Sequence, residues 1–279
     1  MKRWTEKEEI NLANLYGKHQ NKEIALILGR SVAAVSIKAK SLGLKGNPSR
    51  TRRQHNLNDG FFEKHTLEAC YWAGFIAADG NISSPKRKKA NVRIKLKDID
   101  VDHLEMLKKS LKYENELSRS DQKGFVYYTL SFFSEQIVED LKWFNIIPKK
   151  SLVLNPPPLD GKKALSFIIG YIDGDGCVYL ETLKKRNPRL RLCLVGTEQM
   201  LLWIKFNFDK IVPFSIASTP RKIKNSKIYQ YQIASKKALD VLNYLNLIDV
   251  PKMQRKWKVV EYYNEQIVPL LGCRCGHIQ

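Results

Sequence analysis

Two stretches of this chain repeat one pattern, and that pattern leaves few ways to fold. Residues 71–82 are YWAGFIAADGNI and residues 165–178 are LSFIIGYIDGDGCV. Each is an apolar, helix-like run that ends in a small residue, Asp and Gly. Gly74, Ala77 and Ala78 in the first copy, and Gly170 and Gly174 in the second, fall on one helical face. Small residues there let two helix backbones come close together. The expected outcome is a pair of packed helices whose ends bring the Asp79 and Asp175 carboxylates side by side, each followed by a Gly that turns the chain away.

The duplication runs well past the motifs. The 96-residue offset that relates Asp79 to Asp175 also carries Arg93 to Arg189, Lys95 to Arg191, Leu96 to Leu192 and Leu104 to Met200. Farther on an offset of 101 pairs Ser134 with Ser235, Leu141 with Leu242 and Asn145 with Asn246. Each copy is expected to run helix, strand, strand-like or loop segment, helix, strand, helix. Arg93, Lys95 and Lys97 alternate with apolar neighbours, as do Arg189 and Arg191, so one sheet face is apolar and the other basic. Later alternating strands put Thr129 and Ser131, or Gln230 and Gln232, on the open face. Hydroxyls and amides in those places suit base edges in a major groove.

Composition agrees. The 279 residues carry a net charge of +20, an excess beyond solubility that points to a nucleic-acid partner. With 43% hydrophobic residues the chain can bury a sizeable core, in more than one domain. Five irregularly spaced cysteines, no signal pattern after Met1 and no apolar run of membrane length imply an intracellular protein without membrane contact.

Residues 1–45 stand apart as three short helices. Thr5 and Glu8 have capping-box spacing, Gly29 ends a helix over Asn21 to Leu28, and Ser31 caps a third that Gly43 stops. Ile10, Leu12, Ala13, Leu15 and Tyr16 are expected inside. Ser36, Lys38 and Lys40 would face a major groove. RWTEKEE…NKEIALILGRSVAAVSIKAKSLGL resembles the Myb/SANT-type helix-turn-helix family. Residues 46–64 are expected to form a basic linker, in which Arg52 and Arg53 either track phosphates or belong to a solvated tether.

The acids themselves suggest a chemistry. Two adjacent carboxylates repel and are stabilised by a divalent cation, and oxygen-only ligation suits Mg²⁺. Such a cation activates water and stabilises the departing 3′ oxygen of a phosphodiester. A pseudo-symmetric pair of acids matches the twofold of duplex DNA.

AGFIAADG and IGYIDGDG resemble the paired motifs of a single-chain LAGLIDADG homing endonuclease, over most of the chain from Tyr71 on. That resemblance implies an α+β fold of two αββαββα units, 65–154 and 165–270, joined by a linker at 155–164 and followed by a tail at 271–279. The units form a pseudo-twofold saddle on DNA. It implies that Asp79 and Asp175 bind the catalytic metal with help from the carbonyls of Ala78 and Gly174. Mg²⁺ is the expected ion, Mn²⁺ a substitute, and Ca²⁺ a support for binding without cutting. It implies a basic residue near each centre: Lys149 or Lys150 in the first half, Lys252 in the second, with Arg255 and Lys256 as rivals. The implied partner is double-stranded DNA with a long asymmetric site, cut by a monomer acting as a pseudo-dimer, in the mobility of an intron, an intein or a free-standing gene. An inactive DNA-binding regulator or an RNA maturase on the same fold are the alternatives. The motif's sixth position is usually acidic; Asp173 keeps this and Ala77 does not, a difference expected to concern helix packing and capping. Asp98, Asp100 and Asp102 are expected to cap a helix rather than bind metal, and Cys273, Cys275 and His277 to fray.

Overall fold

The computed structural model describes residues 3–16, 19, 21–44, 57–83, 90–182, 187–212 and 214–269. Arg52, Arg53, most of the linker and the tail cysteines lie outside the described residues. The chain forms two compact units, Met1–Asn56 and Leu57–Gln279.

The first unit contains α1 (Glu6–Leu15), α2 (Asn21–Leu28) and α3 (Val32–Ser41) around a small core of Leu12, Ile24, Ala25, Val35 and Ala39. The capping box is complete: the Glu8 amide donates to the Thr5 hydroxyl, and the Thr5 amide donates to Glu8 Oε2 at 2.8 Å. Arg30 grips Glu8 through both carboxylate oxygens, at 3.1 and 2.8 Å, and lies over the Trp4 ring. Gly29 and Gly43, expected to end α2 and α3, both take the left-handed conformation. The inward face is narrower than the apolar pattern suggests. Ile10, Ala13, Ile27 and Ile37 are all exposed, because so few residues can enclose only a handful of side chains.

The second unit begins eight residues before the first expected repeat boundary. Phe62, expected in the linker, is buried edge-on against Phe144. Helix α4 (Leu67–Asp79) leads to β1 (Asn81–Ser83), β2 (Asn91–Lys97), α5 (Val101–Ser110), β3 (Ser118–Gln122), β4 (Phe125–Phe133) and α6 (Glu135–Trp143). The second copy is α7 (Gly161–Asp175), β5 (Cys177–Glu181), β6 (Arg189–Gly196), α8 (Glu198–Ile211), β7 (Arg221–Lys222), β8 (Tyr229–Ala234) and α9 (Lys236–Asn246). A further helix, α10 (Gln254–Tyr262), follows. Each copy therefore has four strands, in orders β1-β2-β4-β3 and β5-β6-β8-β7, all antiparallel. Residue periodicity alone missed the strand after each middle helix. Ser118–Gln122 contains no apolar side chain and pairs along one edge only, so nothing in it alternates. Among the described residues no helix is long and apolar enough to cross a membrane.

The core lies between the sheets and the helices on their apolar faces. Val92, Ile94 and Leu96 of β2 and Leu190, Leu192 and Leu194 of β6 point into it, against Leu104, Leu107, Met200, Leu201 and Ile204. Phe206, on the same helix as Met200 and Ile204, is exposed beneath Lys210. At the centre α4 and α7 are the most extensively packed pair of elements. A Cβ on Gly74 would stand 1.9 Å from the Phe167 carbonyl oxygen, and one on Gly170 would stand 1.9 Å from that of Tyr71. The contacts are mutual and related by the duplication. Asn155 to Pro158 bridges the copies; the Pro156 carbonyl accepts from Asn145 and that of Leu154 accepts from Thr197.

Backbone against backbone cannot be relieved by a rotamer change. Gly74→Ala and Gly170→Ala are each expected to cost about 3 kcal/mol, the upper range for overpacking, and to lower the melting temperature by roughly 10 °C for a domain of this size. Thermal unfolding followed by circular dichroism checks this.

Candidate active site

Both α4 and α7 stop at the acid of the motif, with Gly80 and Gly176 as their C-caps. These glycines were expected to turn the chain away from the helix. They are extended, at φ −76° and −82°. What excludes a side chain is proximity: a Cβ would meet the Ile76 oxygen at 2.6 Å in one and the Ile172 oxygen at 2.5 Å in the other. The chain thus leaves each helix straight into the first strand of its sheet.

The close approach continues to the helix ends. A Cβ on Gly174 would strike that of Ala78 at 2.3 Å and lie 3.4 Å from the Asp79 amide. Asp79 and Asp175 are therefore neighbours across the helix pair. Burial, and next the charge of Asp175, push the Asp79 carboxyl up to about 6. Burial also raises Asp175, while Lys150 and Lys256 pull it down. Among the described residues no further His, Cys or acid completes a metal cluster with them. The donor set is oxygen only, two mutually repelling carboxylates beside helix-end carbonyls. That set suits a hard divalent cation with water in its remaining positions.

The structure brings Lys150 and Lys256 to this centre. They are 5% and 7% exposed, and both ammonium groups point at helix ends. Lys150 donates to the Gly80 carbonyl. Lys256 Nζ lies 2.6–3.0 Å from four carbonyl oxygens, of Ile172, Asp173, Gly174 and Gly176, which share its three N–H donors. The Gly174 carbonyl expected to face a metal thus already receives an ammonium. Burial lowers both lysines from the ordinary range, and the motif acids oppose this.

Lys252, the residue expected here, is placed elsewhere. Its Nζ donates to the Ile248 carbonyl at 2.5 Å and lies over the Trp257 ring. α10 begins three residues after Pro251 and carries its own lysine inward. Lys256, Trp257 and Val260 form its buried face, a helical spacing visible in the sequence. Lys149 sits at φ +60° just before Lys150. Arg255 is consumed by Asp100, through both carboxylate oxygens at 3.0 and 2.9 Å. Asp100 therefore does not cap α5 as expected.

Asp173 was expected to serve packing and capping. It is fully buried and accepts three hydrogen bonds: from the Tyr71 hydroxyl at 2.7 Å, the Met253 amide at 2.8 Å and Trp257 Nε1 at 2.8 Å. The Tyr71 hydroxyl also meets His103 Nε2 at 2.8 Å. Since Tyr71 gives its proton to Asp173, this nitrogen is the one carrying hydrogen. Burial holds His103 down to about 4, so the ring is neutral.

On the open faces Arg93, Lys95 and Lys97 stand opposite Ser131, Thr129 and Tyr127. Lys95 also donates to Gln122, and Lys97 lies over the Phe125 ring. In the second sheet Arg191 pairs with Glu181, and Gln230 and Gln232 both donate toward Cys193 Sγ. Arg189 is half-buried at the start of β6. In the first unit Ser36 accepts from Asn21, Lys38 is drawn onto Glu9 at 2.5 Å, and Lys40 is exposed.

The raised Asp79 carboxyl has a consequence for stability. Its folded value lies above its unfolded one, so folding favours the protonated form, and that contribution disappears as pH rises from about 4 through about 6. In chelator, Asp79→Asn is expected to stabilise the protein by on the order of 2–3 kcal/mol near pH 8 and by nothing below about pH 4. Urea melts at the two pH values test this.

No protein-family profile and no curated protein matches this chain. Solved structures do. The I-SmaMI LAGLIDADG homing endonuclease bound to cleaved DNA is 12% identical over 74% of this chain and 90% of its own, with a TM-score of 0.51. The I-LtrWI LAGLIDADG homing endonuclease bound to target DNA is 12% identical over 77% of this chain and 92% of its own, with a TM-score of 0.50. Meganuclease I-SmaMI bound to uncleaveable DNA with a TTCT central four is 12% identical over 75% and 96%, also at 0.50. At that identity the likeness is one of fold: two packed helices under two four-stranded antiparallel sheets are the architecture of LAGLIDADG meganucleases.

Proposed function

We propose that this chain is a site-specific DNA endonuclease that hydrolyses one phosphodiester in each strand of a duplex. The observation that carries the reading is the meeting of Asp79 and Asp175 at two joined helix ends, flanked by the buried Lys150 and Lys256. A pure binding protein gains nothing from two uncompensated carboxylates at the point where a polyanion must lie.

Asp79 and Asp175 would hold Mg²⁺, or Mn²⁺ in its place, with the Ala78 and Gly174 carbonyls nearby. When bound, that ion supplies water activation and neutralises charge on the departing 3′ oxygen. The chain's own residues do the rest. Lys150 and Lys256 set a positive field beside the acids and lower both carboxyls toward ionisation. Arg93, Lys95, Lys97, Arg189 and Arg191 meet phosphates and purine edges, and Thr129, Ser131, Gln230 and Gln232 read the groove. The two open faces differ in sequence, which supports a long asymmetric site read by one chain. Ser36, Lys38 and Lys40 of the first unit, and Arg52 and Arg53 after it, would lengthen that site through local concentration. Lys38 would have to leave Glu9 to reach a phosphate.

The test starts with a target selected from a randomised DNA library and cloned in a supercoiled plasmid. Mg²⁺ is expected to give linear product, and Ca²⁺ binding without cutting. Asp175→Asn is expected to lower cutting more than about 100-fold, the scale of one lost preorganised charge, and to leave the Kd for the duplex within about threefold, since no phosphate contact is lost. Linear product at an undiminished rate from this variant would sink the reading.

A further inference from the structure

The duplication provides an internal control for Asp173. By the 96-residue offset the counterpart of Asp173 is Ala77, and that of Tyr71 is Phe167. The same place in the helix pair holds a hydrogen-bonded Tyr–Asp on one side and an apolar Phe–Ala on the other. Both are buried. The packing of α4 against α7 therefore does not need the polar pair, and a buried carboxylate is costly to keep. Its partners indicate what it holds.

Two of the three donors to Asp173, the Met253 amide and Trp257 Nε1, bracket Lys256 in the chain. The third, Tyr71, comes from α4 and is itself held by His103. With Arg255 clasped by Asp100, the turn from Met253 to Trp257 is fixed on both sides. Lys256 can then reach all four carbonyls at the end of α7. Among the described residues Lys150 has no such support: it rides on a three-residue turn, Lys150–Leu152, and donates to one carbonyl.

We propose that Asp173, oriented by Tyr71, is a positioning residue for Lys256, and that this device gives one of the two strand-cleaving centres a control the other lacks. The strand-resolved part rests on the endonuclease reading above; the positioning part does not. The Asp173 carboxylate acts through the turn that carries the lysine, and only the Asp173 carbonyl meets Lys256 itself.

Two measurements test it on the full chain, with Tyr71→Phe and Asp173→Asn, the first of which keeps the buried ring if the second fails to fold. In the first, an amine-acylating reagent is applied without DNA or metal and modification is mapped by peptide mass. Lys256 is expected to react about tenfold faster in either variant, the scale of one hydrogen bond to a charged group, with Lys150 as protected as in the wild type. In the second, a duplex bearing the selected site is labelled separately on each strand and cut under single-turnover conditions. One strand is expected to slow about tenfold or more and the other less than about twofold, at unchanged Kd. Lys256→Met should slow that same strand, and Lys150→Met the other. Unchanged Lys256 protection, or equal slowing of both strands, overturns the proposal. A wild-type protein that cuts neither strand overturns the endonuclease reading instead, and the acylation pattern still decides whether Asp173 places Lys256.

Discussion

Everything in the larger unit is built outward from two carbonyl oxygens. Those of Phe167 and Tyr71 occupy the space where Gly74 and Gly170 would carry side chains. Backbones that close fix the rotation and the depth of both helices at once. The depth in turn sets where the helices end relative to each other, because α4 and α7 both terminate at the motif acid. Ala78 then abuts Gly174, and the two carboxylates share one site. The strands follow from the same constraint, since each chain leaves its helix extended at Gly80 or Gly176 and enters its sheet within one residue. A single close approach thus couples helix packing, acid placement and sheet position.

The two halves share one architecture and are unequal at particular points. Tyr71 and Asp173 stand where the other side of the helix pair has Phe167 and Ala77: a hydroxyl donor with its carboxylate, or neither. Either half alone would bury an orphan, an unpaired acid or an unpaired phenol, at a cost of several kcal/mol. The paired state extends from His103 in the first copy to Trp257 after the second, so the polar chain crosses the pseudo-twofold only once. The second copy also gained α10, whereas the first closes with a short turn at Lys150. The two lysines reach similar helix ends from unlike elements.

The sequence reveals the parts of this molecule that repeat or alternate. The motif pair, the small helical face, the basic strands β2 and β6, and the bounds of α2 all carry a period or a cap. What it hides are the parts defined by neighbours far along the chain. Ser118–Gln122 is a strand only because β4 lies beside it. Asp100 looks like a cap until Arg255, distant in sequence, takes its carboxylate. Lys252 follows a proline as Lys149 does, yet the inward lysine is Lys256, in the first turn of α10. Ile10 and Ile27 fit an apolar face that so small a unit has no room to bury.

The electrostatic arrangement at the helix ends resolves an apparent conflict. A chain of net charge +20 gathers two buried carboxylates at the ends of two helices. Each helix C-terminus contributes roughly half a negative charge, and the two carboxylates add to it. Lys150 and Lys256 offset part of that charge, but they do so by donating to carbonyls. Among the described residues neither lysine donates to Asp79 or Asp175. The field of the ammonium groups favours ionised acids, while the carboxylate oxygens keep their lone pairs. Had the lysines paired with the acids directly, the site would be neutral and closed. Spent on the backbone, their charge leaves two ionisable carboxylates, and the repulsion that remains adds to burial in raising the Asp79 carboxyl.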